Sequence, residues 1–230
     1  MAKTKTIENL FNYLASYSHF LPIICFILSY RKSSSSRVLW IIVIYSLYNY
    51  LTDLGLIYLT HRPTRVFLYS SFTFFEYFLF ASAIYLTIRN KAFRRFIIGT
   101  SISFFVFIVI YNLYVKVIGI DSIPIGIEAI FILVFSFYYL YEQMKDPENL
   151  FVYSRFSFWV VLGMMLYLAG SFFIYIYASR LDASEVGKYW IFTNIFSILK
   201  NIFFTIAILL NANEKTNNNN KPSYKLYSLN

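Results

Sequence analysis

The stretch "IFTNIFSILKNIFFTIAILL", residues 191–210, decides the fold that this sequence predicts. It has the roughly 20 apolar residues that a helix needs to cross the roughly 30 Å hydrocarbon core of a bilayer. Its one charged side chain is Lys200, at the centre of the stretch. A lysine at that depth costs a few kcal/mol unless it has a partner or water. The stretch therefore predicts a transmembrane helix with a polar partner for Lys200.

Six further segments have a similar length and composition, and the chain as a whole is 59% hydrophobic and 13% charged. That balance is wrong for a soluble globular domain. The segments lack the alternation of a membrane β-strand, and long apolar segments satisfy their backbone groups as helices. The predicted fold is all-α: a polytopic integral membrane protein with a seven-transmembrane-helix bundle. The predicted spans are 9–30, 38–59, 66–88, 96–118, 123–143, 156–178 and 189–211.

The segments between the spans are short and carry most of the charges, so none of them predicts a separate domain. The end of the chain, residues 213–230, is polar and contains a run of asparagines. Such a composition has too little apolar surface to fold alone. We expect one seven-helix domain over residues 1–212, followed by a disordered cytoplasmic tail over residues 213–230.

Basic residues are distributed unequally between the two sides of the predicted bundle. The side with the C-terminus carries 12 Lys and Arg, and the side with the N-terminus carries 7. Because cytoplasmic loops are the more basic ones, this predicts an outside N-terminus and a cytoplasmic C-terminus in a multi-pass cell-membrane protein. The net charge of +9 then indicates attraction to anionic membrane lipid. Nucleic-acid binding is not expected, because no basic domain is present.

Polar side chains recur at helical spacing on the first, second, third and seventh spans. In the seventh span, Asn194, Ser197 and Lys200 follow one another at intervals of three residues. A polar stripe that faced lipid would lack partners, so the four stripes should converge on a pocket. Depth along the helices predicts that this pocket opens to the outside. The predicted pocket residues are Asn12, His19, Asn49, Asp53, Thr73, Glu76, Asn194, Ser197, Lys200 and Asn201.

Within this set, Glu76 lies at the predicted depth of Lys200, so we expect the two to form an ion pair, with Asp53 nearer the outer surface. Glu128 follows the start of the fifth span, where a carboxylate is stabilised by a helix N-terminus. We expect it to be structural and to lie close to water.

Gly163 and Gly170, seven residues apart, are expected to mark close helix packing.

The predicted pocket favours a bundle that binds or senses a small molecule and acts through a partner protein, since no output domain is present. The alternative is an intramembrane enzyme that acts on lipid, with Asp53, Glu76 and His19 as acid and base groups. A small transporter is a third class, although inverted repeats and broken half-helices are lacking. His19 has no second histidine at a metal-ligand spacing, so no metal and no cofactor are expected.

A lysine in the seventh helix and a carboxylate in the third invite comparison with microbial rhodopsins, whose lysine forms the retinal Schiff base. This chain departs from their pattern. Phe196 stands where they have an aspartate four residues before the lysine. The sixth span reads "WVVLGMMLY", residues 159–167, without the proline of W-x-x-Y-P, and R-Y-x-D-W-x-x-T has no counterpart in the third span. Family membership does not follow, and retinal on Lys200 is kept only as an alternative.

Overall fold

The computed structural model describes residues 2–30, 36–59, 61–115, 122–145, 151–178 and 183–219. Every regular element in these ranges is helical, which confirms the predicted all-α fold. The helices are α1 (Ala2–Ser18), α2 (Phe20–Ser29), α3 (Arg37–Tyr58), α4 (Arg62–Thr87), α5 (Lys91–Tyr114), α6 (Ser122–Met144), α7 (Phe156–Ala178) and α8 (Ala183–Asn219), with a short 3-10 helix at Val152–Ser154.

Seven helical segments in the described ranges are long and apolar enough to cross a membrane. Their positions agree with the seven predicted spans to within a few residues at most ends, since the apolar runs end where charged and turn-forming residues begin. By length and composition, the fold is that of a multi-pass membrane protein. The segments are Glu8–Ser29, Arg37–Tyr58, Pro63–Thr87, Lys91–Tyr114, Ser122–Met144, Phe156–Ile174 and Tyr189–Asn213.

The first span is interrupted at His19, which separates α1 from α2. Pro22 explains the interruption. It has no backbone N–H, so the carbonyl of Ser18, four residues earlier, loses its helical donor, and the proline ring also crowds that carbonyl. The interruption lies within the predicted span 9–30. The break lies beside the candidate site, where His19 is almost completely buried.

The last helix, α8, continues to Asn219 and so includes residues 213–219 of the predicted disordered tail. A helix satisfies its own backbone hydrogen bonds, so it can extend beyond the apolar segment that would be embedded in lipid. The part of α8 that is apolar enough to cross a membrane ends at Asn213, two residues after the predicted end of the seventh span at residue 211. Residues 220–230 of the predicted tail lie outside the described residues.

The helices pack as a ring that α8 closes. On one side α8 contacts α7, and on the other side it contacts α1 and α2. The ring continues from α7 to α6, α4, α3 and back to α2, while α5 packs mainly against α4 and α6 at the periphery. Apolar side chains of most of these helices form one buried core. This order brings the polar stripes of α1, α3, α4 and α8 to the same interior.

Two glycines allow α7 and α8 to approach closely. A Cβ atom at Gly170 would overlap the ring of Phe196, and one at Gly163 would lie 3.2 Å from Cβ of Phe203 and 3.4 Å from the carbonyl oxygen of Lys200. The prediction that these glycines mark close helix packing is confirmed. The contact also fixes the register of the two helices near Lys200.

Candidate functional site

A cavity of about 510 Å³ lies inside the bundle. It is lined by the last part of α1 with His19, the first parts of α4 and α8, the last part of α3, Ile125 near the start of α6 and Tyr167 of α7. It therefore lies toward the end of the bundle that carries the N-terminus. Its volume is in the range of small-molecule sites. Eight of the ten predicted pocket residues line it: Asn12, His19, Asn49, Asp53, Thr73, Glu76, Asn194 and Ser197. Lys200 and Asn201 lie behind this lining, where Lys200 contacts the ring of Tyr167 and Asn201 bonds to His19.

Lys200 is fully buried beside the cavity. Its ammonium donates a hydrogen bond to the hydroxyl of Tyr45, with Nζ 2.6 Å from the oxygen. The same ammonium lies 3.8 Å from the centre of the Tyr167 ring, which is a cation–π contact. The hydroxyl of Tyr45 in turn donates to Oε1 of Glu76 at 2.6 Å. The Tyr45 hydroxyl therefore bridges the ammonium and the carboxylate.

The predicted direct ion pair between Lys200 and Glu76 is thus replaced by a bridge through Tyr45. A phenolic hydroxyl can accept from an ammonium and donate to a carboxylate at once, so it satisfies both charges without contact between them. Asn49 also donates to this hydroxyl at 3.0 Å. Tyr45 and Tyr167 are not among the predicted site residues, because the chain contains 22 tyrosines and nothing in their spacing singles these two out.

A second hydrogen-bond network surrounds His19 and determines where its proton lies. Oγ of Ser18 donates to the carbonyl of Ala15 at 2.6 Å, so it can only accept from Nδ2 of Asn201 at 2.7 Å. The Asn201 amide therefore also points its NH₂ group at Nδ1 of His19, 2.9 Å away. Nδ1 must accept, which leaves the proton of a neutral imidazole on Nε2. Nε2 faces Oδ2 of Asp53 at 3.7 Å.

The two cavity-lining carboxylates have different surroundings. Glu76 is buried and bonds to Tyr45 and Tyr167. The side chain of Asp53 is 31% exposed and accepts a hydrogen bond from Ser16 at 2.7 Å. Of the three predicted acid and base residues, Glu76 is thus separate from the other two, since its described contacts involve neither His19 nor Asp53. Asp53 is the carboxylate that remains accessible from the cavity.

The remaining predicted pocket residues form the wall of the cavity. Asn194 donates to the side-chain oxygen of Asn12 at 2.7 Å and so joins α8 to α1. Thr73 donates to a backbone carbonyl one turn earlier in its own helix. Ser197 lines the cavity beside Thr193, whose buried hydroxyl has no hydrogen-bond partner among the described groups. Thr193 is a cavity residue that the prediction left out, although it lies at the edge of the polar stripe.

Glu128 differs most from its prediction. We expected it to lie close to water, but it is only 1% exposed, and neither carboxyl oxygen has a hydrogen-bond partner among the described groups. The reason is that α6 begins at Ser122, so Glu128 lies in its second turn, where α4 and α7 already cover the helix. A position near the start of a helix does not ensure contact with water when neighbouring helices extend further.

The cavity thus combines a partly exposed carboxylate, a buried charge bridge and several amide and hydroxyl groups. This chain matches no protein-family model, no curated protein and no solved structure. In the described part of the chain, His, Cys, Asp and Glu side chains do not form a group of three that could hold a metal ion. What the cavity offers a ligand is one accessible negative charge, hydrogen-bonding groups and the aromatic rings of Tyr69, Phe72 and Trp190.

Proposed function

We propose that this protein binds a small organic cation in the cavity and senses it as a membrane receptor. The observation that supports this proposal is the carboxylate of Asp53, which is partly exposed in a cavity of about 510 Å³. A buried pocket with a few oriented polar groups is the usual form of a small-molecule site. A carboxylate that is held by Ser16 but still accessible can bind a ligand ammonium as a charge-assisted hydrogen-bond acceptor.

The charges around the cavity favour a cation over an anion. Asp53 and Glu76 line it, whereas the ammonium of Lys200 lies behind the Tyr45 hydroxyl and is not part of the lining. Arg65 also lines the cavity, but its side chain is exposed and its charge is screened by solvent. Aromatic faces attract cations as well. Tyr69, Phe72 and Trp190 supply such faces in the same cavity.

We further propose that the cavity opens to the outside of the cell membrane. The support is the distribution of basic residues, 12 on the side with the C-terminus and 7 on the side with the N-terminus. The cavity lies toward the N-terminal side of the bundle. We assign the output to a partner protein, since the segments between the spans are too short to form a signalling domain.

Catalysis on lipid is the second candidate, and the proximity of His19 to Asp53 at 3.7 Å favours it. A general base needs a free lone pair directed at its substrate. In His19, Nδ1 already accepts from Asn201, and the proton on Nε2 faces Asp53. Neither ring nitrogen therefore offers a lone pair to the cavity. This arrangement argues against His19 as a general base and so favours binding over catalysis.

Three probes of similar size test the proposal: 2-phenylethylamine, 2-phenylethanol and phenylacetate, which differ in charge at one position. Each is added to the purified protein in detergent, and thermal unfolding is followed. We expect the amine alone to raise the unfolding temperature. A ligand at about 100 times its Kd stabilises the folded state by roughly 2.7 kcal/mol.

The variants Asp53→Asn and Ser103→Ala make the result specific. Asp53→Asn should abolish the response to the amine because it removes the accessible charge. Ser103 lies exposed on α5 and donates only to the carbonyl of Gly99 at 3.1 Å, so its variant should respond like the wild type. The proposal is wrong if the amine stabilises neither protein, if all three probes act alike, or if Asp53→Asn keeps the response.

A further inference from the structure

Among the described residues, Glu128 is the buried ionisable side chain that lacks a partner. Both of its carboxyl oxygens are unbonded, whereas Lys200, Glu76 and His19 each have hydrogen-bond partners. No described Lys, Arg or His forms an ion pair with it. A side chain with this environment has no evident structural role.

The groups that face Glu128 are acidic or neutral. From α4, Glu76 and Tyr77 act on it electrostatically. The Tyr77 hydroxyl is held at 3.1 Å by Ser101 of α5, and from α7 Tyr167 bonds to Glu76. The groups that act on Glu128 are thus a carboxylate and a phenol, and no described Lys, Arg or His forms an ion pair with it. A negative charge on Glu128 would be repelled by the charge of Glu76, and the ammonium of Lys200 is already held to Glu76 through Tyr45.

We propose that Glu128 is an intramembrane proton-binding site, occupied by a proton at neutral pH. Burial without a partner costs an ionised carboxylate far more than a neutral carboxylic acid. The repulsion from Glu76 acts in the same direction. Binding of a proton to one carboxyl oxygen removes the charge and leaves only a neutral polar group in the helix interface.

A proton fits this site better than a metal cation does. Metal cations such as Ca²⁺ and Mg²⁺ are bound by several oxygen ligands at once. Neither oxygen of Glu128 has a hydrogen-bond partner among the described groups, and in the described ranges no group of three His, Cys, Asp or Glu side chains could hold a metal ion. One carboxyl group alone can hold a proton, because the proton is bound covalently to an oxygen.

The site is close enough to the cavity to be linked to its occupancy. Ile125, one turn before Glu128, lines the cavity, and so does Glu76. A cation bound near Glu76 would offset its negative charge, weaken the repulsion on Glu128 and favour release of the proton. This link rests on the proposed function. The proton site itself does not rest on the proposed function, so a failure of the amine probes would not contradict it.

Infrared difference spectroscopy of the full-length protein in detergent tests the site directly. The spectrum of Glu128→Gln is subtracted from that of the wild type at neutral pH. We expect a carbonyl stretch of a protonated carboxylic acid, sensitive to exchange into D₂O, that the variant lacks. The matched control is Glu142→Gln. The carboxylate of Glu142 accepts from the backbone N–H groups of Arg89 and Asn90 at 2.9 Å and 2.8 Å, so this variant should lose carboxylate bands instead.

Loss of carboxylate bands in Glu128→Gln would overturn the proposal, because it would show an ionised side chain. If that variant does not fold, Glu128→Leu replaces it, since a neutral, unpartnered acid should tolerate an apolar side chain of similar size. If neither variant folds, the wild type is labelled with ¹³C in its glutamate carboxyl groups. An isotope-shifted acid carbonyl band at neutral pH supports the site, and the absence of such a band overturns it.

Discussion

Replacing Lys200 with methionine should destabilise the bundle, and it should do so much less when Glu76 is already glutamine. The reason is the bridge in which the Tyr45 hydroxyl accepts from the ammonium and donates to the carboxylate. Either single change leaves one buried charge without its counter-charge. The double change removes both charges, so the two losses should not add.

The structure sets the magnitude of this coupling. Nζ of Lys200 and Oε1 of Glu76 each lie 2.6 Å from the Tyr45 oxygen, so they are at most about 5.2 Å apart. At about 5 Å and an effective dielectric constant of about 20, two unit charges interact by roughly 3 kcal/mol. Each single variant should lose about 3–5 kcal/mol, the usual cost of breaking a buried pair. The double variant should recover about 3 kcal/mol of the summed loss.

The free energy of unfolding can be measured by titration with SDS in mixed micelles, followed by the fluorescence of the three tryptophans. Glu142→Gln combined with Lys200→Met is the control cycle, because Glu142 bonds to the backbone of Arg89 and Asn90 instead. Those two changes should be additive within about 0.5 kcal/mol. A coupling below about 1 kcal/mol between Lys200 and Glu76 would refute the charge bridge.

Two further predictions concern packing and orientation. Gly170→Ala should lower the free energy of unfolding by about 1–3 kcal/mol, because its Cβ would overlap the Phe196 ring. Gly99→Ala, with no neighbouring atom within 4 Å of its Cβ, should raise it by roughly 0.5–1 kcal/mol in the same unfolding assay. Reporters that are active only in the cytoplasm should give signal when they are fused at Asn230 or within 31–37. An external location of either fusion would reverse the proposed orientation.

The amino-acid sequence alone determined the helical fold and the membership of the polar interior. Apolar runs of about 20 residues cross a bilayer as helices whatever their order. Polar residues at helical spacing, such as Asn49 and Asp53, must face inward because lipid offers no hydrogen-bond partners. Both properties depend on spacing within a single helix, so they can be predicted without knowledge of which helices are neighbours.

The tertiary structure decided which polar groups meet. Helix neighbours and register placed Tyr45 between Lys200 and Glu76, where the sequence predicted direct contact. They also buried Glu128 beneath adjoining helices and, through Asn201, directed the proton of His19 toward Asp53. Hydrogen bonds act over about 3 Å, whereas depth estimated along separate helices is far coarser. Partners across helices therefore follow from packing, which no single segment encodes.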